Sequence, residues 1–226
     1  MTTRFLLIKA LLGSLLRVLF RPQVEGAERI PGSGAVILAG NHLTFIDSMI
    51  LPLVSRRQVF FIGKDEYVTG TGLKGRLMAW FFTGVGMIPV DRDGARGGVA
   101  ALMTGRRVLD EGRVFGIYPE GTRSPDGRLY RGRTGIARLA LMTGAPVVPF
   151  AMIGTDRVQP GGSGLPRLRG GRIRVRFGEP LDFSRYEGMD RDRYVLRAVT
   201  DEVMSEVMRL SGQEYVDMYA TKAKAA

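Results

Sequence analysis

After Pro22 the chain alternates short apolar runs with longer amphipathic stretches, and no other property limits its fold as much. The runs occupy residues 35–39 (AVILA), 59–62, 87–90, 114–118, 147–152 and 173–177. Each has the length of a strand buried on both faces. Helical periodicity fills several of the intervals, over about 45–54, 73–82, 97–109 and 134–142. A helix between two strands carries the chain back across the sheet, so that consecutive strands run parallel. The expected fold is therefore α/β, a mostly parallel sheet flanked by helices. A last helix over about 191–210 puts Leu196, Val199, Val203, Val207 and Leu210 on one face, with Asp190 as its expected N-cap. Residues 154–171, rich in Gly, Pro and Arg, read as an exposed loop, and the stretch TKAKAA from Thr221 as a frayed end.

A chain of 226 residues suits one domain better than two. The division expected is an amphipathic helix over 1–22 and an α/β domain over 23–226. Residues 5–20, FLLIKALLGSLLRVLF, are apolar but interrupted by Lys9 and Arg17. They fall short of the roughly 20 residues that a spanning helix needs. No small-residue cleavage site follows, so a removable signal peptide is not expected. On a helix, Lys9, Gly13, Arg17 and Arg21 recur every four residues as a basic stripe. Leu6, Leu7, Leu11, Leu15, Val18 and Leu19 cover most of the remaining surface. Such a helix suits the interface of an anionic bilayer. The competing reading is a first helix packed on the domain with its stripe in water.

Charge and the scarce residue types narrow the chemistry. Lys and Arg number 33 against 22 Asp and Glu, a net charge of +11, which attracts nucleic acid, anionic lipid or phosphorylated substrates. With no cysteine there is no thiol nucleophile, Cys-ligated zinc or disulfide. The single histidine removes two-histidine mechanisms and His-rich metal sites as well.

That histidine stands in Gly40-Asn41-His42-Leu43-Thr44-Phe45-Ile46-Asp47, directly after an apolar run. An imidazole is the readiest general base near neutral pH. Five residues turn about 140° on a helix, so Asp47 can serve His42 only if His42 lies in the turn and Asp47 in the first helical turn. The same residues also read as a capping-box pattern, Thr44-x-x-Asp47, beside an ordinary loop histidine. A second block, Gly86-Met87-Ile88-Pro89-Val90-Asp91-Arg92, delivers Asp91 and Arg92 at the end of a run, as either ligand contacts or a surface ion pair. A third is Ile117-Tyr118-Pro119-Glu120-Gly121-Thr122-Arg123-Ser124. Gly121 permits close backbone approach, Arg123 offers a planar fork for phosphate, and Thr122 and Ser124 add hydroxyls. With the turn signature Pro125-Asp126-Gly127 after it, the block also reads as a polar strand-exit loop. A fourth, Gly144-Ala145-Pro146-Val147-Val148-Pro149-Phe150, carries no reactive group and reads as an inner strand.

Taken in order, the four blocks resemble the glycerolipid acyltransferase family, the 1-acylglycerol-3-phosphate (lysophosphatidate) acyltransferases. That family is marked by N-H-x-x-x-x-D, a glycine-to-arginine block, F-P-E-G-T-R-S and a V-P strand. The likeness covers about residues 24–181, with Val24-Glu25-Gly26 and Phe177-Gly178-Glu179-Pro180-Leu181 also familial. Tyr118 stands where Phe is usual, and Pro89 is a second departure; neither removes a reactive group.

The resemblance implies an enzyme of phospholipid biosynthesis that passes a fatty acyl group to the sn-2 hydroxyl of lysophosphatidate or another glycerol-phosphate acceptor. His42 would be the general base and Asp47 its orienting carboxylate. Arg92, Glu120, Gly121, Thr122 and Arg123, and more weakly Lys64, would form the phosphate-binding set. Transfer would be direct, with no cofactor or metal, from acyl-CoA as co-substrate or from an acyl carrier protein. The place of work would be the cytoplasmic face of the membrane, in peripheral or monotopic attachment to anionic lipid. No G-x-S-x-G elbow accompanies Ser33 or Ser163, in line with direct transfer. Residues 73–82, with Trp80, Phe81 and Phe82, are apolar enough to line an acyl site or touch lipid, although core packing is the commoner fate.

A nucleic-acid-binding domain is the rival from another class. Its best feature is the row Arg167, Arg169, Arg172, Arg174 and Arg176, which lacks interleaved aromatic residues.

Overall fold

In the computed structural model, which describes residues 2–90, 97–162, 164, 166, 167 and 171–225, strands and helices alternate along the chain. The strands are β1 Gln23–Glu25, β2 Val36–Gly40, β3 Val59–Lys64, β4 Met87–Val90, β5 Val114–Ile117, β6 Leu129–Tyr130, β7 Val147–Ile153, β8 Arg174–Phe177 and β9 Tyr215–Val216. The helices are α1 Thr3–Phe20, α2 Asp47–Val54, α3 Gly72–Val85, α4 Gly97–Asp110, α5 Gly135–Thr143, α6 Thr155–Val158, α7 Arg193–Ser211 and α8 Ala220–Ala223.

Seven strands form one sheet in the order β1-β8-β7-β2-β5-β3-β4. Strands β7, β2, β5, β3 and β4 are all parallel; β8 runs antiparallel to β7. The sheet is therefore mostly parallel and flanked by helices, in a single domain. Strand β2 lies between β7 and β5 and is buried along its whole length. Successive side chains on a strand point to opposite faces. Val36 and Leu38 accordingly join Ile46, Ile50 and Leu51 beneath α1 and α2, while Ile37 and Ala39 join Val108, Ile136, Val199 and Val203 beneath α4, α5 and α7. Two apolar layers thus clamp one central strand, and its carboxyl end opens into the loop that carries His42.

Helix α7 buries Leu196, Val199, Val203, Val207 and Leu210 as its periodicity requires. Its N-cap is Asp192 rather than Asp190: the Asp192 side chain accepts from the Tyr194 and Val195 amides. The expected loop over 154–171 and the expected frayed end from Thr221 are built differently. Residues 155–158 form α6, with Thr155, Val158 and Gln159 buried, because Val158 completes the layer under α1. Residues 213–225 are docked: β9 pairs with β6, and the Leu129 amide donates to Glu214 O and the Arg131 amide to Met218 O.

Helix α1 departs from the expected orientation. Phe5, Ile8 and Gly13 are buried, and Ile8 packs where Gly84 of α3 has no side chain; a Cβ there would lie 2.4 Å from Ile8 Cδ1. Lys9, expected in a solvent- or lipid-facing stripe, turns inward and donates to Ser55 O. Burial, then the nearby Arg17 charge, lowers its ammonium pKa. What faces outward is apolar: Leu11 is 74% and Val18 71% exposed, beside Leu6, Leu7 and Leu15. On α3, Leu73, Leu77 and Trp80 are exposed too; Phe82 alone of the Trp80–Phe81–Phe82 trio is buried.

Candidate active site

The carboxyl ends of β2, β5, β3 and β4 meet along one sheet edge, since these strands are parallel neighbours. That edge brings the first and third blocks side by side. Asn41, buried at the exit of β2, pairs with the backbone of β7: its Nδ2 donates to Met152 O at 2.9 Å and its Oδ1 accepts from the Met152 amide at 2.7 Å. This closes the end of the sheet and sets the direction in which the chain leaves.

His42 follows in that turn, with its ring nitrogen Nδ1 3.1 Å from Asp47 Oδ2. The Asp47 side chain is fully buried. Its Oδ2 also accepts the Leu43 and Thr44 amides, both at 2.7 Å, and its Oδ1 accepts the Thr44 hydroxyl at 3.2 Å. Helix α2 begins at Asp47, two residues later than its apolar pattern predicts, because this carboxylate gathers the preceding turn about itself. The capping-box reading is not what the turn shows, since the N-cap of α2 is Ile46 with no side-chain cap; the carboxylate that closes the turn is held against the imidazole instead. A carboxylate only accepts, so Nδ1 carries the proton and Nε2 presents its lone pair. The ring keeps 16% exposure.

The third block supports the ring from below. Tyr118 stacks on His42 with centroids 4.0 Å apart and planes inclined 11°. Burial foremost, then the Asp47 charge, raises the Tyr118 phenol pKa, against a weaker lowering by Ser48; the phenol stays neutral. The Ser124 amide donates to His42 O at 2.7 Å, tying the two blocks together.

Glu120 departs from its expected place among the phosphate ligands. It is 1% exposed, and its oxygens accept the His42 amide at 3.1 Å and the Tyr130 amide at 2.9 Å. A buried carboxylate so engaged would repel a phosphate; it braces the loop instead. Burial pushes its pKa up to about 7, with help from Asp47, while the Tyr130 and His42 amides and Lys224 oppose the rise.

Gly121 adopts φ = 75°, in the left-handed region, and a Cβ there would lie 3.0 Å from Arg133 Nε. Thr122 and Arg123 follow it on the same loop, half-buried. Lys64 ends β3, two strands from β2 and so about 10 Å across the sheet edge. Its ammonium is 3.7 Å from Glu66. Arg92, with Asp91, lies outside the described residues.

Several supporting residues carry no local sequence signal. Gln159 Oε1 accepts the Ile46 amide at 3.1 Å from a stretch read as exposed loop. Gln213 Oε1 accepts Asn41 Nδ2 at 2.7 Å across most of the chain. Asn41 itself was within reach, since it precedes the histidine in the first block. In the arginine row of the rival reading, Arg176 pairs with Glu25 at 3.1 Å while Arg172 and Arg174 are exposed; Arg169 lies outside the described residues.

Known proteins resemble this chain. A family model described as Acyltransferase matches residues 21–153. The chloroplast 1-acyl-sn-glycerol-3-phosphate acyltransferase BAT2 of Brassica napus is 31% identical over 72% of this chain; the chain spans only 45% of that relative's length. The 1-acyl-sn-glycerol-3-phosphate acyltransferase of Bacillus subtilis is 28% identical over 84% of this chain and 88% of its own. The crystal structure of the 1-acyl-sn-glycerophosphate acyltransferase PlsC of Thermotoga maritima superposes with a TM-score of 0.65 at 27% identity, over 92% of this chain and 81% of that one.

Proposed function

This chain belongs to the acyltransferase family, and from that premise we propose that it acylates the free hydroxyl of a phosphate-bearing lysoglycerolipid, lysophosphatidate first among them, with acyl-CoA as donor. One observation carries the reading: an imidazole held through Nδ1 at 3.1 Å by a buried carboxylate keeps its other nitrogen open, beside a loop bearing Thr122 and Arg123.

The chemistry is direct. The acceptor hydroxyl loses its proton to His42 Nε2 as its oxygen bonds to the thioester carbonyl carbon. Asp47 steadies the imidazolium that results. The carbon–sulfur bond then breaks, and the departing thiolate takes the proton back from Nε2. General-base help of this kind contributes roughly 10²–10⁴ in rate. No acyl-enzyme or cofactor is needed. Arg123, the 121–122 backbone and, from the second block, Arg92 form the phosphate grip, with Lys64 a more distant contributor.

Membrane attachment belongs to the same reading. No helix among the described residues is long and apolar enough to cross a membrane. The outward leucines of α1 and Leu73, Leu77 and Trp80 of α3 form an apolar platform on helices that pack together through Ile8 and Gly84. With a net charge of +11, that platform suits an anionic leaflet, as on the cytoplasmic face.

The test offers purified protein lysophosphatidate, glycerol 3-phosphate and lysophosphatidylcholine with palmitoyl-CoA and follows thiol release. Transfer to a phosphate-bearing acceptor is expected, with His42→Ala abolishing it and Asp47→Asn lowering kcat far more than it raises either KM. Near-normal turnover by folded His42→Ala would refute the mechanism.

A further inference from the structure

Residues 213–225 lie beyond the stretch that the family model matches, yet they are bound at several points to the residues that follow the third block. Gln213 Nε2 donates to Gly127 O at 2.5 Å, and Arg133 donates to the Thr221 hydroxyl at 3.2 Å. The guanidinium carbons of Arg131 and Arg133 sit 5.7 and 5.4 Å from the centre of the Tyr219 ring. So anchored, the segment delivers Lys224 to the loop, where its ammonium donates to Thr122 Oγ1 at 2.8 Å.

The geometry points to Lys224 as a further contact for the acceptor's phosphate, acting alongside Arg123; this rests on the proposed acylation of a phosphate-bearing acceptor. An ammonium has three protons to donate, and the Thr122 hydroxyl, a neutral acceptor, takes one. No carboxylate among the described residues is within ion-pair distance of it. Its charged neighbours are Arg123, which repels it, and the buried Glu120, which attracts it but whose oxygens hold backbone amides. An anion placed against an ammonium and a neighbouring guanidinium is attracted by both. A phosphate monoester, with up to two charges and several acceptor oxygens, answers that arrangement. Burial, and then Arg123, lowers the Lys224 pKa, and a bound phosphate would reverse the second effect. Both substrates carry phosphate, but the neighbouring Thr122–Arg123 pair assigns Lys224 to the acceptor rather than to CoA.

Full-length Lys224→Met and Lys224→Arg, compared with wild type, decide the matter. Acceptor and donor KM are measured with lysophosphatidate and palmitoyl-CoA, together with inhibition by sn-glycerol 3-phosphate and the thermal midpoint. Lys224→Met is expected to raise the acceptor KM and the inhibition constant about tenfold, leaving donor KM and thermal midpoint in place; Lys224→Arg recovers most of the loss. An unchanged acceptor KM overturns the assignment, as does a rise in donor KM alone. A fall in thermal midpoint with both KM values shifted, unrelieved by arginine, makes Lys224 a structural latch and overturns it too. Failure of the underlying reading would show in wild type itself, as no transfer to any phosphate-bearing acceptor.

Discussion

Asp47 and Glu120 are both buried carboxylates in one site, and their partners set them to different work. Asp47 accepts three N–H groups and a hydroxyl around a single turn, and one of those donors is the His42 ring. Glu120, on the loop of the third block, takes one amide from His42 and one from Tyr130 of β6. Because burial raises its pKa from an ordinary 4.5 to about 7, the native state holds the proton more tightly than the unfolded chain does. The associated stabilisation is complete below pH 4.5 and is lost as the pH rises through 7, a change of about 3 kcal/mol. Glu120→Gln removes this titration but turns an amide N–H₂ toward one backbone donor. We expect the variant to be less stable throughout, with the gap to wild type narrowing from pH 5 to pH 8 in urea unfolding. Parallel stability curves would show that Glu120 does not titrate in this range. Tyr118 illustrates a different point: its phenol is a departure from the family's Phe, yet its work here is done by the ring face against His42.

Among the elements, α1 has the least ordinary burial. Its one lysine in the middle is turned to a backbone carbonyl, and its leucines are turned out. An apolar face of this kind left in water gains nothing from folding, whereas in a bilayer each leucine is worth about 1.5–3 kcal/mol. Replacing Leu11 and Leu15 together by Glu should cut co-flotation with phosphatidylglycerol vesicles by well over tenfold. The folded domain and turnover of a short-chain, soluble acceptor should persist. Flotation equal to wild type would remove α1 from the membrane contact. The segment 213–225 acts oppositely: it buries Ala220 and pairs β9 with β6, so a stretch of unremarkable composition becomes part of the wall around the third block.

On the scale of the whole molecule, the parallel arrangement makes the site. Four strand ends gather at one edge only because the connecting helices return the chain to the opposite edge each time. The net charge of +11 acts as a field over the whole surface. Raising salt from about 0.05 M to about 0.5 M shortens the screening length several-fold, so binding to anionic vesicles should weaken steeply. Residual binding through the leucines should remain, measurable by sedimentation. Salt-independent binding would mean that the apolar face acts alone.

Much of this was legible from residue order. Strands at 59–62, 87–90, 114–118 and 147–152 follow from apolar runs of strand length, and α7 from five apolar positions at helical spacing, because these patterns are local. The pairing of His42 with Asp47 was legible as well, since both lie within one turn. Sequence could not reveal that Glu120 holds backbone amides rather than a ligand, that Gln159 and Gln213 steady the loop from far along the chain, or that Lys9 faces inward. Burial and long-range hydrogen bonding are properties of assembled surfaces, and they exist only once the sheet has brought distant segments together. The sequence by itself determined which groups could do chemistry and which layers could form a core; the tertiary structure decided which carboxylate orients, which one braces, and which face of the first helix is left uncovered.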